Sequence, residues 1–355
     1  MRKKIGWSVL ALLVLGAGLV LAFQRPAGEW LFGRAIEARV GGNALALEDG
    51  LHLLLCGTGS PLPNPDRAGP CQVVVAGDQA YVVDIGEGGA RNLQLMGFDI
   101  ASVDGVLLTH FHSDHIDGLG PLALNYWTQG TATAPMPVHG PQGIEAVIEG
   151  FNAFYATDMT YRVAHHGEAI VPSSGGGAAA VPFAIGDAPV VVLERGGLTI
   201  TAFRVDHDPV RPAVGYRFDY RGRSVVISGD AARSPMLERA ARGADILVHD
   251  ALQPKLVGKM TEALDRRGNA NTAQITRDIL DYHASPEDAA KSARAAGVKQ
   301  LVLSHLVPPL PARFIYPAFL GDAPALFDGE ITVGEDGMVF SLEPEGDGIV
   351  MEALL

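Results

Sequence analysis

Positive charge is in short supply. The chain of 355 residues sets 27 lysines and arginines against 40 aspartates and glutamates, a formal net charge of −13. That balance argues against a general affinity for phosphate backbones, which takes clustered lysine and arginine. Cysteine is scarcer still, with only Cys56 and Cys71 in the whole sequence. They fall near the end of one apolar run and the start of the next. A disulfide is geometrically open to them, and two buried thiols is the expectation. No internal repeat of 20 to 50 residues is apparent, so a solenoid or propeller is not indicated.

What is plentiful is apolar surface and turn residues. Apolar residues make up 48% of the chain, with 43 glycines and 23 prolines. This suits a sizeable core built from short strands joined by tight turns. The first residues, MRKK, precede an apolar run from Ile5 to Phe23. Basic residues ahead of such a run mark a secretory signal or a membrane anchor. The run is close to the roughly 20 residues needed to span a bilayer. Residues 1–28 are therefore expected to be a signal peptide or inner-membrane anchor, and 29–50 a linker. The expected location is periplasmic or extracellular.

From residue 51 onward, apolar runs alternate with glycine turns and with segments of helical spacing. "ERGG" and "YRGR" read as hairpin turns, and "GEITVGEDGMVFSL" as a terminal hairpin. Residues 131–190 are less regular and read as an insert, a lid or substrate wall over a cleft. Strand runs followed by helix–strand units predict an α/β fold of two packed sheets with outer helices over 51–345.

The stretch "LLTHFHSDHIDG" carries the chemistry. His110, His112, Asp114 and His115 crowd the end of an apolar strand. Imidazole and carboxylate suit zinc and other borderline divalent ions. Four such groups within six positions are hard to explain as packing. His207, Asp230 and His305 each close another apolar run. Loops at one edge of a sheet would bring them together. The expected arrangement is His110, His112 and His207 on one ion, Asp114, His115 and His305 on a second, and Asp230 bridging. His165 and His166 are spare candidates. Asp117 is expected to cap a helix starting near Gly118. Arg67 either binds an anion beside the metals or pins its loop. Trp127, Phe151, Phe154 and Tyr155 either pack a core or wall an aromatic substrate.

These motifs resemble the metallo-beta-lactamase superfamily over about residues 50 to 340. More narrowly, they resemble its branch of ribonuclease Z, type III arylsulfatases and related phosphodiesterases. "LCGTGSPLPNPDRAGP", "VVDIGEG", "HDPVRPAVGYRF", "SGDAARS" and "HASPEDAAKSARAAGVKQLVLSH" carry the likeness. The resemblance implies an αββα sandwich holding two divalent ions, usually Zn2+. Such a pair lowers the pKa of a shared water from about 15.7 toward 7 and so supplies hydroxide. His283, oriented by Asp250, would then donate a proton to the leaving oxygen, and Asp114 would join them as a catalytic group. Where ribonuclease Z has His-Glu-Ala-Thr and His-Ser-Thr, this chain has "HDAL" and "HAS". Only "FDYRGRSVVIS" separates "GYR" from "GD", which leaves no room for the tRNA-gripping arm of bacterial ribonuclease Z.

The expected activity is thus hydrolysis of small anionic esters, aryl sulfates or phosphodiesters, outside the cytoplasm. The alternatives are a ribonuclease Z-like endoribonuclease, a beta-lactam hydrolase and a metal-holding binding module. The expected partners are a small-molecule ester, a membrane through the N-terminal segment if it is uncleaved, and a second copy of the chain. Nucleic acid is not expected.

Overall fold

In the computed structural model the backbone is described for residues 2–40 and 44–355, and side chains outside 1–14, 17, 19, 22 and 39–43. The chain forms two units, Met1–Ala46 and Leu47–Leu355. In the first, α1 runs Arg2–Val40, so the expected linker is helical for its first twelve residues. Trp30, Leu31 and Phe32 on it are exposed. Most side chains of the apolar run expected to be a signal or anchor lie outside the described residues. Among the described residues, no helix is long and apolar enough to cross a membrane.

The second unit holds fifteen strands. They are β1 (Leu51–Gly57), β2 (Cys71–Ala76), β3 (Gln79–Ile85), β4 (Gly105–Leu107), β5 (Met136–Pro141), β6 (Ala178–Phe183), β7 (Val190–Arg195) and β8 (Leu198–Arg204), followed by β9 (Val214–Tyr220), β10 (Arg223–Ile227), β11 (Ile246–Leu252), β12 (Gln300–Val307), β13 (Glu330–Val333), β14 (Met338–Leu342) and β15 (Val350–Ala353). One sheet runs β15-β14-β1-β2-β3-β4-β5-β6 and the other β13-β12-β11-β10-β9-β8-β7. Each sheet has a parallel half, β3 to β6 and β10 to β13. Strands β4, β11 and β12 in these halves are buried along their whole length because both faces are covered. Leu53, Val74, Tyr81, Tyr216, Phe218 and Phe340 meet between the two sheets.

The helices of this unit are α2 (Gly89–Leu95), α3 (Ser113–Ile116), α4 (Leu119–Gly130), α5 (Ile144–His166), α6 (Pro235–Ala240), α7 (Pro254–Arg266), α8 (Ala270–Asp278), α9 (Pro286–Ala296), α10 (Tyr316–Leu320) and α11 (Ala323–Leu326). Helices α2, α4 and α5 touch β1, β5 and β6. On the second sheet's outer face, the alanines of α9 pack with Leu237, Leu247, Leu301 and Phe319. The chain thus has the expected four layers.

Three expectations need correction. Residues 131–190 do not form a lid: β5, α5 and β6 extend the first sheet and β7 starts the edge of the second. Low apolar periodicity there reflects half-exposed edge positions. "GEITVGEDGMVFSL" is not a hairpin either, since β13 joins the second sheet beside β12 and β14 joins the first beside β1. Asp336, between them, accepts hydrogen bonds from Thr58 N (2.9 Å), Ala68 N (2.6 Å) and Asn92 Nδ2 (2.8 Å), which holds the crossing segment over. Finally, Cys56 and Cys71 are not free thiols. They form a buried disulfide with Cα atoms 5.0 Å apart, closing the loop from β1 to β2. The two hairpin turns occur as read: β7 turns to β8 at Gly196–Gly197, and β9 to β10 at Arg221–Gly222.

Arg223 is a fully buried cation at the start of β10. Its Nε donates to Asp245 Oδ2 (3.1 Å), and its other nitrogens reach the Glu343 and Gly348 carbonyls. Burial would raise the Asp245 carboxyl, but bonds from Arg223 and Lys299 hold it below its usual value. Asp245→Ala would strand a buried guanidinium, and we expect a cost of about 3 kcal/mol in a denaturant titration. Because the folded value is depressed, this stabilisation is complete above the unfolded value near 3.9 and drains as pH falls below it. A wild-type-like acid transition in the variant would overturn this.

Candidate metal centre

The donors gather at one edge of the sandwich, where strands end. His110 follows β4, and His112 sits at the extended N-terminus of α3, which carries Asp114 and His115. His207 follows β8 and Asp230 follows β10. Asp250 lies in β11, His283 precedes α9 and His305 lies in β12. The seven expected ligand residues are brought together. The donor groups within 4.8 Å of one another are His110–His112–His207–Asp230, Asp114–His115–His305, and Asp230–His283–His305.

Asp230 is the hub. Its Oδ2 lies 3.3 Å from His115 Nε2, 3.3 Å from His305 Nε2, 3.9 Å from His110 Nε2 and 4.0 Å from His207 Nε2. Asp114 Oδ2 is 3.3 Å from His305 Nε2 and 3.5 Å from His115 Nε2. Two ligands of one tetrahedral zinc, each about 2.0–2.1 Å from it, stand roughly 3.3 Å apart. The spacing is that of atoms sharing a cation.

Outer contacts settle which nitrogen faces inward. His115 Nδ1 donates to Asp84 Oδ2 (2.7 Å), and His207 Nδ1 to the Tyr282 carbonyl (3.0 Å). His110 Nδ1 donates to Thr109 Oγ1 (3.0 Å), which itself donates to Asp84 (2.7 Å). Each ring therefore turns Nε2 toward Asp230, the usual arrangement behind metal-ligating imidazoles. His115 Nε2, His207 Nε2 and Asp230 Oδ1 are buried with no hydrogen-bond partner. Such atoms are costly unless something pairs with them. A cavity of about 20 Å3 among Asp84, His115, Asp230 and His305 has room for one water-sized species. The donor set fits a divalent metal.

Two strand irregularities aim this cluster. Asp84 is an extra residue in β3 opposite β2, with φ of 53°. His305 is an extra residue in β12 opposite β11, with φ of 47°. Bulges of this kind re-aim side chains beside functional sites. Gly86 is needed just after Asp84, because a Cβ there would meet the Asp114 carbonyl at 2.4 Å.

Charge follows the geometry. Burial holds His110 well below its usual value, and His112 and His207 lower than usual. Burial also opposes a charge on His115, but Asp230 and Asp84 lift it well above the ordinary histidine value. His305 is raised against burial by Asp230 and Asp114. Burial opposes ionisation of Asp230, yet His305 and His115 hold its carboxyl well below the usual range.

His283 stands at the rim, its Nδ1 donating to Asp250 Oδ2 (2.8 Å). Asp250 also accepts from His249 Nδ1 (2.9 Å) and the Ala231 amide (3.2 Å). The shorter carboxylate of "HDAL" therefore still reaches its histidine. Asp84 was missed by the sequence reading, although it lies within the quoted "VVDIGEG".

Other candidates fall elsewhere. His165 and His166 are exposed at the end of α5, away from any donor group. Asp117 caps nothing: α4 starts after Gly118 with no side-chain cap, and the Asp117 carboxyl faces the Glu87 backbone. Arg67 pins its loop, bonding Thr58, the Gly334 carbonyl and the Tyr316 hydroxyl (2.8 Å). Trp127 donates to the Pro172 carbonyl (2.7 Å) and packs with Phe151 and Tyr155 between α4 and α5, while Phe154 is exposed.

Residues 86–306 match the family described as beta-lactamase superfamily domain. A Mycobacterium bovis protein named ribonuclease Z is 37% identical over 290 residues, which is 81% of this chain and 96% of that protein. Among solved structures, the Bacillus subtilis metallo-beta-lactamase fold protein YhfI aligns with a TM-score of 0.57 at 21% identity, over 82% of this chain and 99% of that one. Human tRNase Z, short form, also gives 0.57, at 20% identity over 82% and 98%.

These relatives overturn two expectations. The small aryl sulfate or phosphodiester substrate gives way to an RNA-processing nuclease, and nucleic acid is no longer an unlikely partner. Net charge had misled because it averages the whole surface. The missing arm had misled too, since 96% of the M. bovis protein is matched. Little length remains there for a long segment that this chain lacks.

Removing Asp84's bond to His115 should loosen the cluster without taking a donor from it. For Asp84→Ala we expect metal affinity, measured by competition with a chromogenic chelator, to fall about 10- to 100-fold. In the wild type, metal must displace protons from the raised His115 and His305. Affinity should therefore drop as pH falls, with proton release visible in calorimetry. Affinity unchanged between pH 8 and pH 5.5 would refute that account.

Proposed function

Because this chain belongs to the beta-lactamase superfamily, in its ribonuclease Z-like branch, we propose that it is a metal-dependent endoribonuclease cleaving phosphodiester bonds in RNA, with 3′-extended tRNA precursors as the leading substrate. The observation that carries the reading is one edge where seven donor residues, Asp230 among them, converge with the Asp250–His283 pair beside them. Relatives named ribonuclease Z and tRNase Z support the choice of RNA. His110, His112 and His207 would hold one ion and Asp114, His115 and His305 a second, with Asp230 in reach of both sets. Imidazole and carboxylate donors suit zinc and leave iron and manganese open, and zinc is the metal we propose.

When bound, the two ions supply a nucleophile at neutral pH and offset charge developing on the phosphate. The chain's own residues do the rest. Asp84, Thr109 and the Tyr282 carbonyl keep three imidazoles in one tautomer. Asp250 stays ionised because its bonds to His249 and His283 outweigh burial. It orients His283, whose Nε2 would pass a proton to the departing ribose oxygen. A cleft of about 500 Å3 between the Pro61–Pro65 loop and Asp114 gives the strand a way in.

The buried Cys56–Cys71 bond suits an oxidising compartment.

For the reaction itself, purified protein should cut a 3′-extended tRNA precursor internally, lose activity on chelation and regain it with Zn2+. Failure to cut with metal retained would overturn the proposal. His283→Ala should lower kcat about 100- to 10,000-fold while keeping most of its metal. Unchanged turnover would remove His283 from the mechanism.

A further inference from the structure

Tyr282 has a backbone role and an unexplained side chain. Its carbonyl accepts from His207 Nδ1 (3.0 Å), and any residue could provide that carbonyl. The ring is half-buried but belongs to none of the hydrophobic clusters described around the two sheets and the α7–α8 helices. Among the described residues, the hydroxyl has no hydrogen-bond partner.

The ring's neighbours belong to the metal centre. Its centroid is 4.8 Å from that of His207, with planes at 80°, and 4.7 Å from that of His283, at 44°. Neither imidazole is stacked flat on it. An aromatic plate thus stands beside the proton donor and beside a ligand histidine, partly open to solvent.

A phosphodiester seated on the centre brings its nucleobases within reach of such a plate. Proteins that bind unpaired RNA hold its bases on aromatic faces, and each stacked base adds substantially to affinity. We propose that Tyr282 is a substrate-contacting residue: the nucleobase adjoining the scissile phosphodiester stacks on its ring. This rests on the RNA reading of the site and deepens it, because it makes the centre selective for nucleotide over non-nucleotide phosphodiesters. The stack would fix where the sugar–phosphate bond lies relative to His283, without any base-specific hydrogen bond.

The test uses the metal-loaded full chain and short RNA substrates carrying one abasic position on either side of the mapped cleavage bond. Tyr282→Ala should raise KM on intact RNA roughly tenfold or more, with kcat changed less than threefold and metal content unchanged. Tyr282→Phe, which keeps the ring, should stay within about threefold of wild type. With wild-type enzyme, one of the two abasic substrates should show the same KM increase. Tyr282→Ala should add nothing further on that substrate. Equal penalties for Tyr282→Ala on intact and abasic RNA, or a Phe variant as impaired as the Ala variant, would overturn stacking. If wild-type enzyme binds these RNAs without cutting them, the nuclease reading fails alone. Stacking is then judged from the same comparisons in Kd, by fluorescence anisotropy.

Discussion

A single buried carboxylate organises this molecule. Asp230 sits at the end of β10 with four histidine nitrogens within 4.0 Å of one oxygen. Charge in such a place is tolerable only if it is matched, by protons on His115 and His305 or by cations. The rest of the edge supplies that match and holds it still. Two sheets are needed because the donors end strands in both: His110 and its neighbours follow the first sheet, and His207, Asp230 and His305 the second.

The clustering of these residues was legible because the 110–115 group, His207, Asp230 and His305 each fall at or near the end of an apolar run, and apolar runs in an α/β chain are strands. Adjacent strands of a parallel half end on one side, so residues that close them share an edge. Asp84 was harder to see. It belongs to the same class, yet it lies inside the run "VVDIG" rather than at its end. Only the bulge that adds it to β3 turns it toward His115.

The errors share a cause: each inferred a global property from a local pattern or the reverse. Four residues between two short strands look like a hairpin turn, but Asp336 bonds to Thr58, Ala68 and Asn92 pull that segment between sheets. Weak periodicity in 131–190 looked like a loop, although it marks sheet edges with one face in solvent. Net charge describes an average surface, whereas a phosphate seated on a metal centre meets local charge. A surplus of carboxylates elsewhere says little about that encounter.

His305 shows what such a centre exacts from its scaffold. An imidazole at a left-handed backbone angle within a strand is a conformation that glycine would adopt with less strain. Selection for folding alone would tend to replace it, and the ladder between β11 and β12 would close more comfortably without the extra residue. In exchange for that strain, the bulge sets His305 Nε2 3.3 Å from the carboxylates of both Asp114 and Asp230.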